Sequence, residues 1–205
     1  MYKEDYQFGV DKIAFIHIPK TGGTTVRYMI KECPDILNKT INVAQGVHRP
    51  ISKLRPPEEY KYFTFLREPI SRCWSYWQMV KRDPSNPWNK YINDFDEFLN
   101  NCWEVNNLAC QQIAGCIRHN VNQEIYQQSK NNLDNFFFVG LFEDFDVSVK
   151  KLLYLISGNN QDGITIPIKN RWPKNVMTEE QKQKIKERNF FDILLYNNFI
   201  KERKY

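Results

Sequence analysis

Lys12–Ile30, KIAFIHIPKTGGTTVRYMI, places an apolar run, a Lys-Thr-Gly-Gly-Thr-Thr turn and a helix start in immediate succession. Ile13, Phe15, His17 and Ile18 read as a short buried strand, and the run from Thr24 opens a helix whose first N–H groups have no intrahelical partners. Such a junction suits an anion. Glycines admit a phosphate to the backbone without a Cβ in the way, the helix dipole adds positive potential, and the hydroxyls of Thr21, Thr24 and Thr25 add donors. Taken alone, an ordinary Gly-Gly turn between strand and helix describes the stretch equally well. The order of the residues speaks against one class of anion loop. In a Walker-type loop the lysine follows the last glycine and a magnesium-binding hydroxyl comes next. Here Lys20 precedes Gly22 and Gly23, and GxxxxGK occurs nowhere, which disfavours a kinase or ATPase.

A second segment narrows the choice. Tyr60–Leu66, YKYFTFL, is an aromatic and β-branched run of strand length that delivers the chain into Arg67, Glu68, Pro69, Ile70, Ser71 and Arg72. The residues from Cys73 to Trp77 continue as a helix, so Arg67 at the strand end and Ser75 about two turns in are expected to converge on one group. An arginine fork with a hydroxyl is a receptor for a phosphate dianion. A surface arginine pair on an amphipathic helix with buried tryptophans is the plainer alternative.

Together the two segments resemble the sulfotransferases that use 3′-phosphoadenosine-5′-phosphosulfate (PAPS). The resemblance implies that Pro19-Lys20-Thr21-Gly22-Gly23-Thr24-Thr25 binds the 5′-phosphosulfate. It also implies that Arg67 and Ser75, the first arginine and the serine of an RxPxxRxxS pattern, bind the 3′-phosphate. Pro69 and Arg72 stand in register, whereas Glu68 replaces the family's usual Asp or His. Phe138–Asp146 looks like the VGxxERFDESL element of the carbohydrate branch, which includes the heparan sulfate and uronyl 2-O-sulfotransferases. Asn189–Tyr196 looks like its NxLDxxLY helix. The likeness spans nearly the whole chain and implies a three-layer αβα fold, P-loop-like, with a central, mainly parallel sheet.

The pattern of elements agrees with that class. Strands are expected near 12–18, 40–44, 60–66 and 136–141, with helical or polar segments between them. Asp94–Glu97 reads as a capping box before a helix carrying Phe98, Leu99 and Trp103, Thr178–Gln181 opens another helix, and Asn189 marks a break before the last. The polar middle around His119-Asn120-Val121-Asn122 shows no clear periodicity and reads as a loop facing the acceptor. With 205 residues, 41% of them hydrophobic, and no Gly/Ser linker or repeat, the chain is expected to form a single catalytic domain over 1–205. The fourteen Phe, eleven Tyr and five Trp imply an aromatic interior, some of it able to line a sugar-binding groove.

The net charge of +5 favours an anionic donor and a polyanionic acceptor but carries no polybasic run, and no nucleic-acid-binding motif occurs. The lysines between Lys182 and Lys204 read as a solvated helical face. Five cysteines without CxxC spacing read as reduced, mostly buried thiols rather than a metal site. No apolar run reaches the roughly 18 residues of a membrane-spanning helix, and Met1–Val10 has no signal-peptide pattern. The expectation is a soluble cytoplasmic enzyme, or one cut from an anchored precursor. The sequon Asn38–Thr40 carries little weight without a secretory signal.

Sulfuryl transfer is an in-line displacement, so positioning and electrostatics supply most of the rate. The resemblance puts Lys20 beside the oxygen bridging phosphate and sulfur, where it stabilises the leaving group. For the base we expect His48, in Gly46–Pro50 after the strand at 40–44. An imidazole of ordinary pKa, about 6.5, accepts a proton at neutral pH. Relatives carry a histidine there in a GHxP-like context, with one residue fewer after the glycine. Glu68 is the reserve base, and His17 is expected to be a strand residue. Arg171, in the loop Ile168–Pro173, is where relatives cover the 3′-phosphate or adenosine. No metal is required. The expected reaction moves a sulfuryl group from PAPS to a hydroxyl, with a glycan as the expected acceptor, and leaves adenosine 3′,5′-bisphosphate. A non-catalytic binding module of the same fold is the rival reading, against which Lys20 and His48 both stand.

Overall fold

The computed structural model describes residues 12–33, 36, 51, 60–117, 120–167 and 176–203. The expected strand at 40–44, the sequon Asn38–Thr40, His48, His119 and Arg171 lie outside the described residues.

The sheet is parallel, as expected. Strand β1 (Ile13–Ile16) pairs with β2 (Lys61–Leu66), Phe15 opposite Phe63, and β2 pairs with β3 (Phe138–Leu141), Phe65 opposite Gly140. Its strand order is β1-β2-β3. Both faces are covered, which is why the strands read as almost unbroken apolar runs rather than as an alternation. On one face Ile13, Phe15, Phe63, Phe65 and Phe138 meet Val26, Met29 and Ile30 of α1 (Gly23–Glu32), and Val149, Leu152, Leu153 and Ile156 of a later helix, Phe145–Ser157. Phe15 and Phe63 stack with centroids 4.7 Å apart. A Cβ on Gly140 would lie 2.5 Å from the Phe65 ring, so aromatic packing requires glycine at that strand position.

The remaining helices build the opposite layer and a flanking core. In chain order they are α2 (Pro69–Arg82), α3 (Phe95–Asn101), α4 (Leu108–Ala114), α5 (Gln123–Asp134), α7 (Glu179–Arg188) and α8 (Phe190–Arg203), the helix Phe145–Ser157 of the first face being α6. Ala109, Cys110 and Ile113 of α4, Tyr126 and Leu133 of α5 and Leu195 of α8 cover Ala14, Ile16, Tyr62, Leu66, Val139 and Leu141. A separate cluster joins Cys73, Trp74, Tyr76, Trp77 and Val80 of α2 to Phe98, Leu99, Cys102, Val105 and Ile185.

Two motifs that mark lineage in the sequence act as clamps here. Asn189 separates α7 from α8, donates to the Val105 and Ile185 carbonyls, and accepts from the Asn107 amide. The buried Asp192 carboxylate accepts from the Ala109 and Cys110 amides at 3.0 and 2.8 Å, satisfying N–H groups that the first turn of α4 leaves unpaired. In the other motif, Ser148 accepts from the Leu141 amide and so fixes β3 to α6.

The described part of the stretch expected as a loop, residues 120–122, is neither helix nor strand, and a helix follows it directly. Asn122 caps that helix, α5, by accepting from the Ile125 amide. Only Tyr126, Ser129 and Leu133 of α5 are buried, and its outer face is an amide ladder, Gln127 to Asn131 and Gln128 to Asn132. So narrow an apolar stripe leaves almost no helical period to read. The capping box at Thr178–Gln181 is present, with both reciprocal bonds, and Asp94 caps α3 through the Asp96 and Glu97 amides.

Candidate active site

The loop between β1 and α1 is built to leave a helix N-terminus bare. Gly22 stands at the N-cap with φ +86°, a left-handed conformation that glycine adopts without strain, and it makes no side-chain cap bond. The first turn of α1 holds no acidic residue, so the positive end of the helix dipole is uncompensated within it. Close packing below sets the shape. A Cβ on Gly22 would lie 2.3 Å from the Phe145 ring, and one on Gly23 would lie 2.1 Å from the buried His17 imidazole, which stacks on Phe15. His17 is therefore a buried support under the loop, in keeping with a strand residue.

The hydroxyls divide their work. Thr21 is wholly buried and donates to the Ile18 carbonyl at 2.8 Å, so it holds the turn. Thr24 is exposed and Thr25 buried, and both belong to the first turn of α1.

Lys20 adopts φ +71°, in the left-handed region that non-glycine residues seldom enter. Its carbonyl is held by Arg67, whose Nη1 donates to it at 2.9 Å across 47 residues of sequence. Burial, then the Arg67 and Arg82 charges, lower the Lys20 ammonium below its ordinary value. Burial likewise pushes the Arg67 guanidinium down to about 10, against the pull of Glu143. Arg67 remains cationic at neutral pH, and the environment of both groups gains when an anion arrives.

Arg67 also forks onto Ser71, through Nε at 3.2 Å and Nη2 at 2.8 Å, and lies over the Phe142 ring at 4.3 Å. Ser71 is thus the α2 hydroxyl that Arg67 reaches. Ser75, the hydroxyl expected from the sequence, lies one turn further along α2 on the same face and is half-buried. Glu68, the reserve base, is the N-cap of α2: its two oxygens accept from the Ile70 and Ser71 amides at 3.0 and 2.7 Å. Its own amide donates to Glu143 at 2.9 Å. The structure thus brings Lys20, the α1 N-terminus, Arg67 and Ser71 to the ends of β1 and β2, with Ser75 one turn further along α2.

A profile of the sulfotransferase family matches residues 6–199. The chain belongs to the sulfotransferase family. It is 26% identical to human heparan-sulfate 6-O-sulfotransferase 3, in an alignment covering 92% of this chain and 56% of that protein. The chain spans about half the length of that curated relative, and the likeness supports the carbohydrate branch. That relative is by name a 6-O enzyme, whereas the branch that the motifs resemble was exemplified by 2-O enzymes.

Among the described residues of this sulfotransferase, no group of three or more His, Cys, Asp and Glu could hold a metal ion, and no helix is long and apolar enough to cross a membrane. Tyr196 of α8 bonds Glu143, and burial raises its phenol above the ordinary range. A chain Tyr196–Glu143–Glu68 thereby ties the last helix to the cap of α2. Helical spacing of polar residues within α2 was the signal available for Ser71: it stands one turn before Ser75, in the same motif.

Proposed function

We propose that this sulfotransferase moves a sulfuryl group from PAPS to a hydroxyl of a carbohydrate. The observation that carries the reading is the bond from Arg67 to the Lys20 carbonyl, which merges two anion-binding segments into one cationic site. A donor with phosphates at two ends fits such a pair better than any single phosphate does.

In this reading the bare N-terminus of α1 at Gly22 and Gly23, with Thr24 and Thr25, binds the 5′ end of the donor. Thr21 contributes by shaping the turn. Arg67, Ser71 and Ser75 bind the 3′-phosphate, and Arg171, which precedes α7 in sequence, is assigned to the same donor. Lys20 sits beside the oxygen that joins phosphorus and sulfur. The S–O bond to that oxygen breaks as one forms to the acceptor oxygen, and Lys20 neutralises the charge left on the phosphate. The acceptor proton passes to His48. Capping occupies both Glu68 oxygens, which favours His48 over Glu68 as base. The sugar acceptor is supported by the likeness to a heparan-sulfate enzyme.

Thermal denaturation tests the donor. Adenosine 3′,5′-bisphosphate should raise the melting temperature strongly, with or without magnesium, while ATP does little; no shift with the bisphosphate sinks the proposal. His48→Ala should abolish labelled sulfate transfer and leave bisphosphate binding nearly intact, whereas Arg67→Ala should weaken binding first. Full activity in the His48 variant removes it as the base.

A further inference from the structure

The end of β3 brings a charge of the wrong sign to a phosphate site. The Phe142 amide donates to the Leu66 carbonyl at 2.8 Å, so the chain stays beside β2 for one residue past β3, and the Phe142 ring lies against the Arg67 guanidinium at 4.3 Å. Glu143 comes next. Its Oε1 accepts at 2.9 Å from the amide of Glu68, the neighbour of Arg67 in the chain. Tyr196 of α8 bonds the same carboxylate and lines a small cavity together with Arg67. Three elements therefore meet at Glu143, and its charge is fixed beside Arg67. That charge is not needed to aim the guanidinium, because Ser71 and the Lys20 carbonyl take three of its five N–H donors and Phe142 covers a face.

We infer that Glu143 limits how firmly the 3′-phosphate is held and so hastens release of the spent donor. This rests on the donor reading above and deepens it. Donor and product carry the same two phosphates, so a site that grips them grips the product as well, and binding shared by ground state and transition state adds nothing to kcat. Release then becomes the slow step. A fixed carboxylate beside Arg67 weakens that shared grip by repelling the 3′-phosphate. Of the two carboxylates there, Glu68 spends both oxygens on first-turn amides of α2, whereas Glu143 takes one amide and a phenol. Glu143 is also the carboxylate that acts more strongly on the Arg67 cation.

Calorimetry with adenosine 3′,5′-bisphosphate on Glu143→Gln tests this. Glutamine keeps an oxygen for the Glu68 amide and can donate to the Tyr196 oxygen, so only the charge is lost. Glu143 is exposed and solvent screens it, so affinity should rise by roughly threefold or more, and stopped-flow displacement of bound bisphosphate should slow to match. Lost support for the fold would weaken the ligand instead. Adenosine 5′-phosphate, which lacks the 3′-phosphate, should gain less than the bisphosphate does. Asp134→Asn removes the same charge at an exposed position before β3 rather than after it, and should leave bisphosphate affinity unchanged. If Glu143→Gln does not melt cooperatively, Glu143→Ala answers the same question and should also bind more tightly than wild type. The role is overturned if the folded variant binds bisphosphate no more tightly, if adenosine 5′-phosphate gains as much, or if Asp134→Asn gains equally. A wild-type protein that ignores the bisphosphate fails at the donor instead, and takes the role of Glu143 with it.

Discussion

Lys20 combines an unfavourable backbone with an unfavourable charge. A side chain at φ +71° costs about 1–2 kcal/mol relative to glycine. Lys20→Gly should therefore be more stable than Lys20→Ala by about 1 kcal/mol in urea unfolding, while both lose transfer. A smaller gap would mean that the loop relaxes. The charge makes its own prediction. Because folding lowers the Lys20 ammonium below 10.5, the protein is penalised fully below the folded value, and that penalty is relieved as pH rises through it towards 10.5. A bound dianion raises the value again. Bisphosphate binding should take up a proton in that alkaline window, and affinity should fall as pH climbs through it; calorimetry in buffers of different ionisation enthalpy measures the uptake.

At the scale of elements, the loop depends on what lies beneath it and α2 on what starts it. A Cβ on Gly23 meets the His17 imidazole, so Gly23→Ala should cost about 1–3 kcal/mol by overpacking. Adding His17→Ala should return part of that loss; strict additivity in the double-mutant cycle would contradict the contact. For α2, the Glu68 carboxylate satisfies two first-turn amides, and Glu68→Ala should lower stability by about 1 kcal/mol. If instead it removes the acidic limb of the pH–rate profile with stability unchanged, Glu68 is the base and the capping account fails.

Across the whole molecule, stability rests on two apolar layers around the sheet and a polar clamp between the C-terminal helix and α4. Burial raises the Asp192 carboxyl, and the Arg72 guanidinium works against that rise. Asp192→Ala would strip two amides of their acceptor and leave buried Arg72 without its counter-charge, at a cost on the order of 3–5 kcal/mol. The thiols report on the same core. Cys33, Cys73, Cys102 and Cys110 are buried and Cys116 partly exposed. Burial pushes the Cys73 thiol up to about 11 and raises Cys102 and Cys110 too. In native protein at pH 8, an alkylating reagent should modify Cys116 first and the other four only at the rate of unfolding. Rapid modification of Cys110 would show that α4 opens independently of the sheet.

The sequence by itself determined the strand–loop–helix order at Lys12–Ile30, the parallel sheet, the arginine at the end of β2 and the family. All of these rest on local spacing and apolar runs, which a linear chain displays directly. Helix α5 stayed hidden because its buried stripe is narrow and its outer face is amide-rich. Only the tertiary structure decided that Thr21 turns inward, that Glu68 caps α2, and that Arg67 forks onto Ser71. These depend on where a side chain points once distant elements have packed. The bond from Arg67 to the Lys20 carbonyl crosses 47 residues, and no local pattern encodes it.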